Sequence, residues 1–216
     1  MGTSSIVDII GSVAVAGVLL LIALRLNAQA NETSLVYNGS VTLQQNMTTL
    51  VGWIEHDFRR IGYCANYTKI PFPTQSLRKA DTSDITFWTD VNSNGNLDSI
   101  RWYIGPTSEL GPSAGKFYTP NPRDRKIYRQ INNGTAQAWI LGVTQFQLKY
   151  FDYEGRPISA PVAQPSGIYS MQISIACEAP YTFQEQFRSE KVADSLTDFQ
   201  VFWRQLRLAS PNLKYR

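Results

Sequence analysis

The sequence predicts an α+β protein, one long N-terminal α-helix followed by an antiparallel β-sheet head. Three observations carry this. An uncharged apolar run of sixteen residues, Ile9 to Leu24, continues without a proline into a more polar stretch that ends at Cys64. From Leu43 through Met47, Leu50, Ile54 and Phe58 to Ile61, apolar residues recur in steps of three and four, the period of a helix with one apolar face. Beyond about residue 80 the pattern changes to apolar–polar alternation broken by Asn- and Gly-containing turns, which marks strands and hairpins.

The apolar run lies between Asp8 and Arg25, and Ile6, Val7 and Leu26 extend it toward the roughly 20 residues that cross a hydrocarbon core. It is apolar all round, which suits lipid or the inside of an assembly better than one side of a small domain. A cleaved signal peptide is the competing reading, with a small-residue site near Ala30, but no basic residue precedes Arg25. The chain therefore divides into a membrane-spanning half of the helix at 1–30, an amphipathic half at 31–62 and a β-rich head at 63–216. If continuous from Ile6 to Ile61 the helix would be ~84 Å long. The Asn-rich segment from Asn31 to Gly39 is where a kink or a melted turn is expected, and Gly62 is placed as the C-terminal stop.

In the head, residues 63–79 carry Pro71 and Pro73 and read as loop. SDITFWTD and SIRWYIG then read as one hairpin, and KIYRQI, NNG and AWILG as a second. Residues 106–122, rich in Gly, Pro and Ser, read as an irregular excursion. VTQFQLKYFD is a long alternating strand, EGRP a turn and IYSMQISIAC another strand; the region from Glu178 to Leu208 fits either a short helix or a terminal strand.

Composition narrows the function. The 216 residues carry a net charge of +3 with no basic run and no acidic tail, so nucleic acid is not indicated as a partner. Eleven Tyr, ten Phe and five Trp describe an ordered domain and not a disordered tether. The two cysteines, Cys64 and Cys177, are too few for a zinc site; outside the cytoplasm they would form one disulfide, the alternative being two separate buried thiols. Asn-x-Ser/Thr triplets at Asn31, Asn38, Asn46, Asn66 and Asn133 decide little in so Asn- and Thr-rich a chain.

One stretch has metal-ligand spacing. In DVNSNGNLD, Asp90, Asn92, Asn94, Asn96 and Asp98 put oxygens at alternate positions, with Gly95 at the sixth place where a calcium loop turns sharply. Calcium is the one cofactor the sequence suggests. The twelfth place is Arg101 in place of a closing Glu, so a long polar hairpin turn stands beside that reading. The single His56 sits between Glu55 and Asp57, neighbours that should point away from it on a helix. No nucleophile–base set is signalled, so no enzyme is expected.

LVGWIEHDFRRIGYC, ITFWTDVNSNGNLDSIRWYIG, IYRQINNGTAQAWILGVTQFQLKYFDYEG and FWRQLRLAS, taken as an ordered set, resemble the type IV pilin-like superfamily, in particular W-type minor pilins and J-type minor pseudopilins of type II secretion. The resemblance covers most of the chain. It implies a pilin-like fold and a minor subunit that leaves the membrane for a filament through its N-terminal helix, contacts other pilin or pseudopilin subunits there, and displays its head outside the cytoplasm. Family precursors have a basic leader, a Gly at the cleavage point and a Glu as fifth mature residue; here a start at Ser4 puts Asp8 at that place, following Thr3. Asp8 is thus the candidate assembly carboxylate, and the small residues Gly11, Ala14 and Gly17 are candidates for close helix packing. A single-pass anchored extracytoplasmic binding domain that never polymerises, calcium-dependent if the 90–98 loop holds the ion, is the reading from another class.

Overall fold

The computed structural model describes residues 3–70, 75–178 and 201–214. A single helix, α1 (Thr3–Arg59), runs for 57 residues, or ~86 Å at 1.5 Å per residue. The expected break between Asn31 and Gly39 is absent. Thr33 Oγ1 donates to the Gln29 carbonyl and Thr42 Oγ1 to that of Asn38, each at 2.9 Å, so the hydroxyls of this polar stretch bond back onto the helix. No proline interrupts the ladder, and a poor helix former costs only about 0.5–1 kcal/mol at each position.

The second half of α1 is built as its periodicity requires. Leu43, Met47, Leu50, Val51, Ile54 and Phe58 are buried, while Gln44, Gln45, Thr48 and Arg59 on the other side are exposed. Gly62 ends the run at φ +72°, where a side chain would be strained and a Cβ would lie 2.7 Å from Ser76 Oγ. The last carbonyls are capped from far along the chain: Ser210 Oγ donates to the Ile61 carbonyl at 2.9 Å and Asn212 Nδ2 to the same oxygen at 3.2 Å.

Two antiparallel sheets complete the head. β1 (Leu77–Ala80), β2 (Asp84–Thr89), β3 (Asp98–Ile104), β4 (Ile127–Ile131) and β5 (Gln137–Trp139) form a five-stranded meander in that order. Both expected hairpins are present, and Asn132 and Asn133 take φ +49° and +57° in the β4–β5 turn. β1 corrects the loop expected through Lys79. It buries Leu77 and Ala80 and exposes Arg78 and Lys79, a strand too short and too irregular in register to reveal itself by alternation. The second sheet has the order β7-β6-β8-β9, from β6 (Val143–Phe151), β7 (Pro157–Ile158), β8 (Ser170–Glu178) and β9 (Val201–Leu208). β9 resolves the open C-terminal choice as a strand over 201–208; residues 179–200 of that region, with Pro71 and Pro73, lie outside the described residues. A short α2 (Pro211–Lys214) follows. The excursion from 106 to 122 consists of 3-10 turns and bends.

One core joins these elements. Residues of α1, Ile85 and Phe87 of β2, Ile100 and Trp102 of β3, Leu148 and Tyr150 of β6, and Ile173 and Ile175 of β8 pack into a single cluster. Phe58 meets Phe87 edge-on with ring centres 5.5 Å apart. The Cys64–Cys177 disulfide is not formed: both residues are buried free thiols. Cys64 follows the end of α1, whereas Cys177 pairs with Val143, next to the Gly142 that faces Leu43. From Leu43 to the end of α1 is about 24 Å along the helix, so the two cysteines occupy opposite ends of the head.

Candidate functional site

The largest feature without an internal role is the first half of α1. From residue 6 to residue 31 every described side chain is exposed, with Ile9 and Ile10 each at 63% and Leu19, Leu20 and Leu21 each at 61%. The helix is long and apolar enough to cross a membrane, and none of its apolar window is buried. Monomeric soluble proteins rarely expose contiguous apolar patches beyond a few hundred Å². This surface is a contact surface for lipid or for other chains.

Asp8, Gly11, Ala14 and Gly17 all lie on this exposed half, and nothing lies within 4 Å of a Cβ built on either glycine. They do not form one line. Each step of three residues turns about 60° back around the axis, so Gly11, Ala14 and Gly17 spread over about 120° and Asp8 lies opposite Gly17. The small residues thus offer a broad, shallow sector for close approach. Asp8 reaches a different side.

The 90–98 loop is built around Asp90, which is fully enclosed. Its carboxylate accepts from the backbone N–H groups of Ala65 at 3.1 Å, Asn94 at 3.1 Å and Gly95 at 2.8 Å. Burial alone would raise this carboxyl, but the N–H groups of Ala65, Gly95 and Asn94 hold it below the usual value. Asn92 Oδ1 accepts from Asn94 N, Asn94 Oδ1 from Asn96 N, and Asn96 Oδ1 from Lys69 Nζ. Asp98 accepts from Val91 N and from Asn132 Nδ2. Each of the five side chains expected to converge on calcium accepts from an N–H donor and fixes a piece of the turn. Among the described residues no group of three or more His, Cys, Asp or Glu is placed to hold a metal.

Sequence reasoning passed over Asp57 in favour of its neighbour. His56 remains mostly exposed, and its Nδ1 lies 3.3 Å from Asp57 Oδ1, so the expectation that the two point apart is corrected. Glu55 does turn away, to Arg59 one turn on at 2.6 Å. Asp57 is buried and receives Trp102 Nε1 at 2.9 Å and Arg129 Nε at 2.6 Å. Trp102 stacks on Trp139, and Trp139 meets Trp53 of α1 at 5.0 Å. The visible signal was an acid at a position where helical spacing points to the core.

Asp124 is a further buried carboxylate, and among the described residues neither of its oxygens has a hydrogen bond of good geometry; burial, with the nearby Glu178 charge added, pushes its carboxyl up to about 6 although Thr119 and Arg123 act to lower it. Glu178 itself is paired with Arg123 at 2.9 Å and accepts from Asn121 Nδ2 at 2.8 Å. Burial, with the charges of Asp124 and Glu178, pushes the Cys177 thiol up to about 12, so it is held as an inert thiol.

No family model matches the chain. Nor does any curated protein match it. Among solved structures, a type IV-like pilin from Thermus thermophilus is similar at a TM-score of 0.45 and 9% identity, over 80% of this chain and 98% of that one. A likeness at that level leaves the architecture to be read from the chain's own helix and sheets, which give an α+β protein with an exposed apolar helix projecting from an antiparallel β head.

Proposed function

We propose that the chain is a pilin-like subunit, of the minor kind, that rests in a membrane by the first half of α1 and assembles through it into a type IV pilus- or type II secretion-like filament. One observation carries this reading: a single unbroken helix is buried in the head by its second half and wholly exposed and apolar in its first. A tether needs no rigid connection to its cargo. A subunit that must fix its head relative to neighbouring helices does, because the helix axis transmits that orientation.

Transfer from lipid to a bundle of equivalent helices changes apolar burial little, so packing of small residues such as Gly11, Ala14 and Gly17 and the pairing of Asp8 would decide the geometry. Asp8 would meet a neighbour's N-terminal amine, the charge pairing that the sequence resemblance implies. The head would face away from the cytoplasm, and the partners would be other pilin or pseudopilin subunits. The test is recovery of the chain in filaments sheared from cells, with the N-terminal residue of that form determined. Recovery that is lost in Asp8→Ala cells, with membrane levels unchanged, is expected. A chain found only as a membrane monomer would overturn the reading in favour of an anchored binding domain that does not polymerise.

A further inference from the structure

The outer face of the second sheet is mostly polar, and among the described residues no element packs across its β6 and β9 side chains. The strand register places its side chains in rows. Gln147, Ser174 and Gln205 are cross-strand neighbours on β6, β8 and β9, as are Lys149, Gln172 and Arg207 one row on. On the other side lie Gln145, Ala176 and Trp203, the last 60% exposed. The inward alternates Phe146, Leu148, Ile173 and Ile175 are buried; in the outer rows Ser174 and Ala176 of β8 are covered as well, and Gln145, Lys149, Trp203, Gln205 and Arg207 on the flanking strands are exposed, with Gln147 and Gln172 half-buried.

The charge on this face is of one sign. Neither Lys149 nor Arg207 has an acidic partner among the described residues. Arg207 is held in place by the Phe151 ring, its guanidinium carbon 4.4 Å from the ring centre. The two cations flank Gln172 across two strand spacings, about 10 Å apart. Arg207 also borders an open cavity of about 430 Å³ with Tyr153, Tyr169 and Ser170. The cavity's own carboxylates, Asp152 and Glu154, are both engaged by Arg156. At the far end Glu178 is buried against Arg123.

We propose that this face binds an acidic polysaccharide. The guanidinium of Arg207, held on Phe151, and the exposed ammonium of Lys149 match the carboxylates of a uronic-acid chain. Between them stand amides, which offer a donor and an acceptor each to sugar hydroxyls, and the exposed indole of Trp203 gives a sugar ring an apolar plane to lie on. Charge complementarity selects an anionic glycan over a neutral one, and amides in the interior of the face, in place of further cations, favour a hydroxyl-rich polymer over one with a phosphate at every step. This binding does not depend on filament assembly.

The test uses the full chain in detergent and its retention by polygalacturonate at low salt, with dextran and single-stranded DNA as comparison polymers. Retention by polygalacturonate alone is expected, weakening as salt rises. The combined Lys149→Gln and Arg207→Gln variant should lose at least tenfold in affinity. Because Arg207 also packs on Phe151, Lys149→Gln alone and Trp203→Ala alone, both at solvent-exposed sites, should each weaken binding severalfold at unchanged Tm. No retention by polygalacturonate, equal retention by dextran or by DNA, or unaltered binding in the folded single variants would each overturn the proposal.

Discussion

Trp102 of β3 donates its indole N–H to the Asp57 carboxylate of α1 at 2.9 Å, and Arg129 of β4 donates to the same oxygen at 2.6 Å. One helix carboxylate thereby fastens the helix to two adjacent strands. The Arg129 side chain is 17% exposed and that of Asp57 5%, so little water can replace the bond if it is broken. Removing one partner of such a pair costs about 3–5 kcal/mol. Asp57→Ala in the full chain is therefore expected to lower the thermal midpoint by roughly 6–20 °C, measured by circular dichroism in detergent. Asp57→Asn, which keeps an acceptor for Trp102, should lose less. Equal losses in the two variants would place the energy in the ion pair with Arg129 and not in the indole bond.

Asp124 gives the head a pH dependence of definite sign. Burial raises its carboxyl from 3.8 to about 6 on folding. A folded value above the unfolded one means that the neutral acid favours the folded state. That contribution is fully present below about pH 4 and is lost as pH rises through about 6. Asp124→Asn, which is neutral at every pH, should raise Tm at pH 7.5 by roughly 3 °C and leave it almost unchanged near pH 4. Asp84 works in the opposite sense. Burial would raise its carboxyl, but Arg101 and Lys79 hold it below the ordinary value, so its contribution is present above about pH 4 and fades under stronger acid. A rise of equal size for Asp124→Asn at both pH values would show that burial of charge is not the cause.

Much of this architecture was legible in the residues because period and burial coincide. The step of three and four from Leu43 to Ile61 marks the buried face of α1, and the alternation in VTQFQLKYF marks the inward and outward sides of β6, whereas the central β8 is buried along nearly its whole length. Three features were not legible. β1 spans four residues with a register shift and follows two prolines, too little chain for a period to show. α1 stays continuous through Asn31 to Gly39 because no proline interrupts it and each poor helix former costs only about 0.5–1 kcal/mol, a balance that composition does not display. The spacing of Asp90 to Asp98 is shared by a cation loop and a hydrogen-bonded turn, and only the direction of each oxygen separates them.

For that loop the arrangement gives a plain expectation. With the Asp90 carboxylate receiving N–H groups from Ala65, Asn94 and Gly95, the turn is complete without a cation. Chelation of divalent ions should leave Tm of the full chain unchanged. Asp90→Ala should lower it to the same extent with calcium or with chelator present, because what is lost is the set of backbone bonds. A Tm that rises with added calcium and is insensitive to it in Asp90→Ala would show that the loop holds a cation.

The exposed half of α1 is the feature on which the functional reading stands, and a photo-crosslinking residue placed at Ala14 or at Gly17 reports directly on what covers it. In cells, the expected product is a crosslink from each position to the N-terminal helix of another subunit, and its loss in the Asp8→Ala chain. Crosslinks only to lipid, unchanged by Asp8→Ala, would contradict assembly through this helix.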